Sequence, residues 1–258
     1  SYFTIVWSAG PIIAPFLGGY LEDLIGWKSN FWFLAIYAII LLIGELSVGG
    51  ETVPAKSKFH FKTIVNLYGT MLQNSGFVLG ILVLGLSYSV TMVFNVAGPF
   101  VVEEHFGFNS VVIGYCTLIL GIAWMLGGII SKRSIHLKFN AKTLIGTISQ
   151  VALIGLLIAI ARYADWLVLL VGFGFLIHIC SGFLFTNFFT HNLLFFPKNA
   201  GIAGGLMGGL LYIVPSLSSF VIASSGEIIT TMDMSLRYLM ISVPLLLVVL
   251  IIIRRPFN

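Results

Sequence analysis

The chain has 258 residues, of which 59% are hydrophobic and 9% are charged, and its formal net charge is +4. Soluble domains carry about 25% charged residues, and a mean hydropathy of +1.07 excludes a single water-soluble core. The composition is that of an integral membrane protein. Its two cysteines, Cys116 and Cys180, both fall in apolar segments, where they indicate small buried side chains and no disulfide framework.

Apolar segments long enough to cross a membrane follow one another along the chain. A spanning helix needs about 20 apolar residues, and on that criterion the sequence predicts an all-α membrane protein with eight spans. They run over residues 2–21, 30–47, 75–102, 109–131, 141–162, 166–193, 199–224 and 236–253. The spans divide into a pair within 1–47, a polar linker over 48–74 and a six-helix bundle over 75–258. Residues 59–71 of the linker have near-helical apolar spacing, typical of either an interfacial amphipathic helix or a plain entry turn.

Basic residues are concentrated in alternate loops. If the first span runs outward from the cytoplasm, the inner loops hold ten Lys and Arg residues and the outer loops hold three. The positive-inside rule then predicts that both ends of this segment are cytoplasmic. The same distribution explains the net positive charge without nucleic acid as a partner.

The first span carries the string AGPIIAPFLGG at residues 9–19, followed by GWK at 26–28 and FW at 31–32. Pro11 and Pro15 each remove a helix hydrogen bond, a loss that neighbouring membrane helices can compensate. Gly10, Gly18 and Gly19 allow another helix to approach closely. The string resembles the fifth-helix antiporter motif of the major facilitator superfamily, and is most similar to the bicyclomycin-resistance and chloramphenicol-efflux group of drug/proton antiporters. The resemblance implies that these five residues form a conformational motif, in which Gly10 and Pro11 control the switch between inward-open and outward-open states. A generic kinked membrane helix is the alternative.

A second string, PKNAGIAGGLMGG at residues 197–209, resembles the small-residue opening of the eleventh helix in that family. Gly201, Gly205 and Gly209 recur at four-residue spacing, which predicts a face for tight helix packing. In a transporter that alternates between two open states, such a face is also a sliding surface.

The resemblance implies a function, and it implies that the eight spans are part of a larger fold. The first span becomes a fifth helix, so the eight spans correspond to helices five to twelve of a twelve-helix transporter, and residues 1–47 to the last two helices of its N-terminal bundle. The implied function is proton-coupled efflux of small lipophilic molecules by a monomer in the bacterial inner membrane. The acidic proton-coupling residue is expected in earlier helices, supplied by a longer chain or by a second one. The alternative is a truncated or split membrane partner without transport activity of its own.

Polar side chains within spans are costly in lipid and usually face a bundle interior or a cavity. On this basis we expect a substrate cavity with aromatic walls, to which Trp124 and Phe185 would also contribute. The predicted cavity residues are Ser87, Tyr88, Thr91, Asn95, Tyr115, His178, Thr186 and Tyr212. The alternative is that Ser and Thr bond back to their own helices, that Asn95 makes an interhelical contact, and that His178 is neutral and hydrogen-bonded.

Enzymatic motifs are missing from the sequence. It contains no His-Glu-x-x-His zinc motif, no Gly-x-Ser-x-Gly nucleophile turn and no phosphate-binding loop. Every Asp and Glu lies at or beyond the end of a predicted span, with Glu45 closest to entering one. We therefore expect neither an enzyme nor a bound cofactor or metal.

Overall fold

The computed structural model describes residues 2–50 and 61–254, except for the side chains of residues 2–9, 11 and 12. Within these ranges the chain is helical and contains no strand, as expected of an all-α membrane protein. The helices are α1 (Tyr2–Ile25), α2 (Lys28–Val48), α3 (Phe61–Gln73), α4 (Ser75–Phe100), α5 (Ser110–Arg133), α6 (Phe139–Ala161), α7 (Leu167–Leu194), α8 (Ala200–Leu211), α9 (Ile213–Ser224) and α10 (Thr231–Arg254). A π-helical turn, Val101–His105, continues α4, and a 3-10 turn, Pro197–Asn199, leads into α8.

In the described part of the chain, seven helical segments are long and apolar enough to cross a membrane. They match the second to eighth predicted spans, with α8 and α9 together forming the seventh. The first predicted span lies on α1, a helix of 24 residues whose first side chains are outside the described residues.

The central helix of the bundle is α4, which packs against α7, α9 and α10. Its buried residues include Phe77 and Phe94, and small residues such as Gly85 let α9 come close. Around it, α5 packs along α7, while α6 packs against α7 and α10. Lipid supplies no hydrophobic drive for helix association, so close side-chain packing of this kind holds a membrane bundle together.

The helices before the bundle attach to it in different ways. The α1 helix packs along α5, whereas α2 packs against α1 and its apolar side chains are exposed. The predicted linker contains a helix, as the amphipathic interpretation expects. This helix, α3, packs on α4 and α8 and buries Met71. Asn74 then caps α4, since its side-chain oxygen accepts a hydrogen bond of 2.9 Å from the Phe77 backbone. Linker residues 51–60 lie outside the described residues.

Candidate functional site

Four aromatic side chains from different helices meet at one place in the bundle. Tyr88 of α4 lies 6.0 Å from Trp124 of α5 and 6.1 Å from Tyr212, between ring centroids, and the Tyr88 and Tyr212 rings are perpendicular. Phe185 of α7 lies 5.2 Å from Trp124. We call these four residues the aromatic cluster. Its inner member, Phe185, is 3% exposed and Tyr212 is 48% exposed, so the cluster is the wall of an open surface.

The position of Tyr212 follows from a break in the helix that carries it. Pro215 has no backbone N–H and therefore cannot donate to the carbonyl of Leu211, four residues earlier. The helix stops at Leu211 and restarts at Ile213, leaving Tyr212 at the junction of α8 and α9. Broken helices near the middle of a span are typical of the binding sites of transporters. Pro215 was not among the predicted residues, although a proline inside an apolar span is the signal that could have found it.

The place of Trp124 depends on a close crossing of α5 and α7. A Cβ atom at Gly127 would overlap the carbonyl oxygen of Ile179, and one at Gly182 would overlap the carbonyl oxygen of Trp124. Such contacts between backbones require glycine on both helices. The crossing therefore brings the Trp124 ring to Phe185, one turn beyond Gly182.

Asn95 lies on the incompletely buried stripe of α4. Tyr88, Met92, Asn95 and Pro99 recur at intervals of four, three and four residues, which places them on one helix face. The rest of α4 is largely buried, whereas Asn95 is exposed. Asn95 and Tyr88 therefore share a face, separated by seven residues or about 10 Å.

His178 is not brought into the aromatic cluster. It precedes Phe185 by seven residues and shares its face of α7, but two turns away the space is filled by Tyr238 of α10, 6.2 Å from the imidazole. The histidine is buried, and its Nδ1 lies 2.8 Å from the Gly174 carbonyl. The predicted arrangement of Asn95, Tyr212 and His178 around one cavity is thus not seen, and the hydrogen-bonded alternative describes His178.

Tyr115 also lies away from the cluster. Nine residues separate it from Trp124, which turns the two side chains to opposite faces of α5. Its hydroxyl lies 2.5 Å from that of Tyr20 on α1, and its ring lies 5.1 Å from Phe16. Tyr115 is therefore part of the α1–α5 interface.

The small polar residues of the predicted cavity differ in their hydrogen bonding, and the buried Ser87 hydroxyl has no hydrogen-bond partner within the described residues. The Thr91 hydroxyl donates to the Tyr88 carbonyl of its own helix at 2.7 Å, as the alternative interpretation expects. Ser87 is fully buried one position before Tyr88, and Thr186 lies one position after Phe185, beside Gly128. Adjacent positions on a helix point about 100° apart, so neither side chain faces the cluster.

The C-terminal end of the conformational motif contacts the N-terminal part of α5. A Cβ at Gly19 would lie 2.7 Å from the Ser110 carbonyl oxygen, and one at Gly114 would lie 3.3 Å from the backbone of Pro15 and Phe16. Gly18 faces Asn30 of α2 instead, whose side chain would lie 3.2 Å from an added Cβ. Gly10 was expected to allow close approach of another helix, but nothing described lies within 4 Å of a Cβ placed there. The Pro11 side chain lies outside the described residues.

The three glycines of α8 that recur at four-residue spacing do not contact another helix within the described part of the chain. Gly201, Gly205 and Gly209 are exposed, and an added Cβ at any of them would meet nothing within 4 Å. The side of α8 that faces the bundle carries Ala203 and Met207. These glycines point away from the described bundle, so their predicted tight packing is not seen within the described residues and stays a prediction.

A buried hydrogen-bond network joins α6, α7 and α10. The Gln150 amide donates to Ser242 of α10 at 2.8 Å and accepts from Ser181 of α7 at 3.1 Å. All three residues are fully buried, so these bonds satisfy polar groups that lipid would leave unpaired. Among the residues that the structure describes, no group of three His, Cys, Asp or Glu side chains could hold a metal ion.

A bundle of membrane-spanning helices, with aromatic side chains gathered at a broken helix and a close α1–α5 interface, defines the class of multi-pass membrane transport proteins. The family model of the Major Facilitator Superfamily matches residues 1–219. The chain therefore belongs to this superfamily of membrane transporters. A search of curated proteins found no match.

Proposed function

We propose that this protein is a secondary active transporter that exports small lipophilic molecules in exchange for protons. The observation that carries the substrate class is the aromatic cluster. Its members offer broad apolar faces and the hydroxyl groups of Tyr88 and Tyr212, without a charged side chain among them. Aromatic faces with few polar groups suit flat, neutral or weakly cationic compounds.

The exposed amide of Asn95 supports the same proposal. It lies on the face of α4 that carries Tyr88 and can both donate and accept hydrogen bonds. A compound lying on the aromatic cluster could reach it along the helix, since about two turns separate the residues. In this proposal Asn95 selects among compounds, and the aromatic rings supply most of the affinity.

Proton coupling and direction rest on the likeness of the α1 motif to drug/proton antiporters. We place both ends of this segment at the cytoplasmic face of a bacterial inner membrane, because ten of the 13 basic residues would then lie inside. Substrate and protons are the proposed transported partners, membrane lipid surrounds the monomer, and the coupling carboxylate belongs to helices outside this segment.

The test is efflux of a fluorescent lipophilic cation from proteoliposomes that contain the full-length protein. We expect efflux to stop when an uncoupler removes the proton gradient. Efflux that persists without the gradient and requires ATP would refute the proposal.

A matched pair of variants tests the site. Tyr212→Ala should weaken binding of aromatic compounds by about ten-fold. A contact between two aromatic rings contributes about 1 kcal/mol in addition to the free energy of burying their apolar area. Tyr163→Ala, at a residue that is 91% exposed and outside the cluster, should leave binding unchanged. Equal losses in both variants, measured by fluorescence titration, would show that the aromatic cluster is not the binding surface.

A further inference from the structure

A cavity lies between α5, α6 and α7, and none of the aromatic cluster residues lines it. It has a volume of about 490 Å³ and is enclosed by the C-terminal turns of α5 and α7 and the first turn of α6. We call it the basic cavity. Its polar lining consists of Ser131, Lys132, Lys142, Thr186, Asn187, Thr190 and His191. Met125, Ile129 and Leu194 are among its apolar lining residues, so a polar end and an apolar wall share one space.

Lys142 is the residue that makes this cavity unusual. Its side chain is 9% exposed, although it lies in the first turn of a membrane-spanning helix. The ammonium group donates one hydrogen bond, of 3.4 Å, to the Ser134 carbonyl. An ammonium carries three donors, so two remain to be satisfied by something within the cavity.

The chain supplies no counter-charge to this lysine within the described residues. No carboxylate there lies within 4 Å of Lys142, and no acidic side chain lines the cavity. In the sequence, the segments that build it, 125–142 and 186–194, contain no Asp or Glu. A buried cation without a counter-charge is expensive, and the exposed Lys132 in the lining adds a second positive charge.

We propose that the basic cavity binds the phosphate group of an anionic membrane phospholipid, with an acyl chain along the apolar wall. Basic pockets between membrane helices bind anionic lipid headgroups because the positive side chains attract the negative phosphate. Lys142 and Lys132 neutralise the phosphate, and the Thr190 hydroxyl, which donates to the Thr186 carbonyl, can accept a hydrogen bond from a headgroup hydroxyl. The apolar wall favours a lipid over a free anion, because a free anion would leave that surface without contact.

The experiment is native mass spectrometry of the purified full chain, titrated with phosphatidylglycerol or with phosphatidylcholine. We expect phosphatidylglycerol to bind with at least about five-fold higher affinity, since each lysine near an anionic lipid contributes about that factor. Equal affinity for the two lipids would overturn the proposal.

Matched variants locate the site. Lys142→Gln should remove about five-fold of the phosphatidylglycerol preference, while Lys142→Arg should retain it. Lys198→Gln makes the same charge change at an exposed residue outside the cavity and should leave the preference unchanged. An equal loss in Lys142→Gln and Lys198→Gln would show that the attraction is a general surface effect and overturn the proposal.

Two further measurements complete the test. If Lys142→Gln does not elute as a folded protein, Lys132→Gln, at an exposed position, should lower the preference in its place; an unchanged preference there would overturn the site. Inorganic phosphate and glycerol phosphate are then added as competitors. Lipid that stays bound supports the phospholipid, whereas displacement by either soluble anion at equal concentration assigns the cavity to a free phosphate and refutes the lipid.

Discussion

Two sets of glycines in this protein read alike in the sequence and behave differently in the structure. At the α1–α5 interface, Gly19 and Gly114 lie so close to the opposite backbone that an added Cβ would come within 2.7 and 3.3 Å of it. On α8, Gly201, Gly205 and Gly209 have no described neighbour within 4 Å of such an atom. Glycine spacing therefore indicates that a helix permits close contact, and only the partner's position shows whether the contact is made.

The α5–α7 crossing is a closer backbone contact of the same kind as the α1–α5 interface. Gly127→Ala should destabilise the protein by about 3 kcal/mol, because the new Cβ would overlap a rigid backbone carbonyl and neither helix can move without losing its packing. The free energy of unfolding in mixed micelles measures this.

The adjacent residue provides the control. A Cβ at Gly128 would meet the Thr186 hydroxyl at 3.2 Å, and that side chain can rotate, so Gly128→Ala should cost about 1 kcal/mol or less. If both variants were equally stable, α5 and α7 would not cross where the structure has them.

At the α1–α5 interface the expected effect is smaller. Gly19→Ala should cost about 2 kcal/mol, because its Cβ would press against the Ser110 carbonyl. Gly18→Ala, one position earlier, meets the movable side chain of Asn30 and should cost less. The readout is the free energy of unfolding in mixed micelles, which should fall further in Gly19→Ala than in Gly18→Ala. Equal losses in the two variants would place the contact elsewhere.

The same interface contains a polar contact that tests its geometry further. Tyr115→Phe removes the hydrogen bond to Tyr20 and should lower stability by about 1 kcal/mol. Tyr163→Phe, at an exposed tyrosine in the α6–α7 loop, should have no effect on the melting temperature. A loss of aromatic-compound binding in Tyr115→Phe would indicate that Tyr115 belongs to the substrate site, as predicted from the sequence.

The α8 glycines should give the smallest effect, with the opposite sign. Gly205→Ala should stabilise the segment by about 0.5 kcal/mol, since alanine restricts the unfolded chain and meets no neighbour. Unfolding of the purified segment measures this. A destabilisation there would mean that a further helix packs against this face.

The resemblance of the α1 motif implies a role for Gly10 in conformational switching, which stays a prediction. Within the described residues the glycine that touches α5 is Gly19, more than two turns further along α1, and nothing described lies within 4 Å of a Cβ at Gly10. The motif marked the correct helix, because kinks and glycines are local properties. It could not mark the residue of contact, because that depends on how α5 lies across α1.

The candidate site illustrates the same limit. Tyr88 and Tyr212 were both predicted cavity residues and are in contact, while Tyr115 and His178 are separated from them by helix rotation and by Tyr238. Residue type and depth within a span could be read from the chain. The direction in which each side chain points could not.

By itself, the sequence determined that this is an all-α membrane protein, the position of seven spans and its resemblance to the major facilitator superfamily, because hydrophobicity over about 20 residues is a local property set by bilayer thickness. The tertiary structure decided which glycines are contacts, which polar groups satisfy one another and which aromatic residues form the cluster. These depend on the rotation and crossing of helices distant in sequence, which packing alone sets in a membrane.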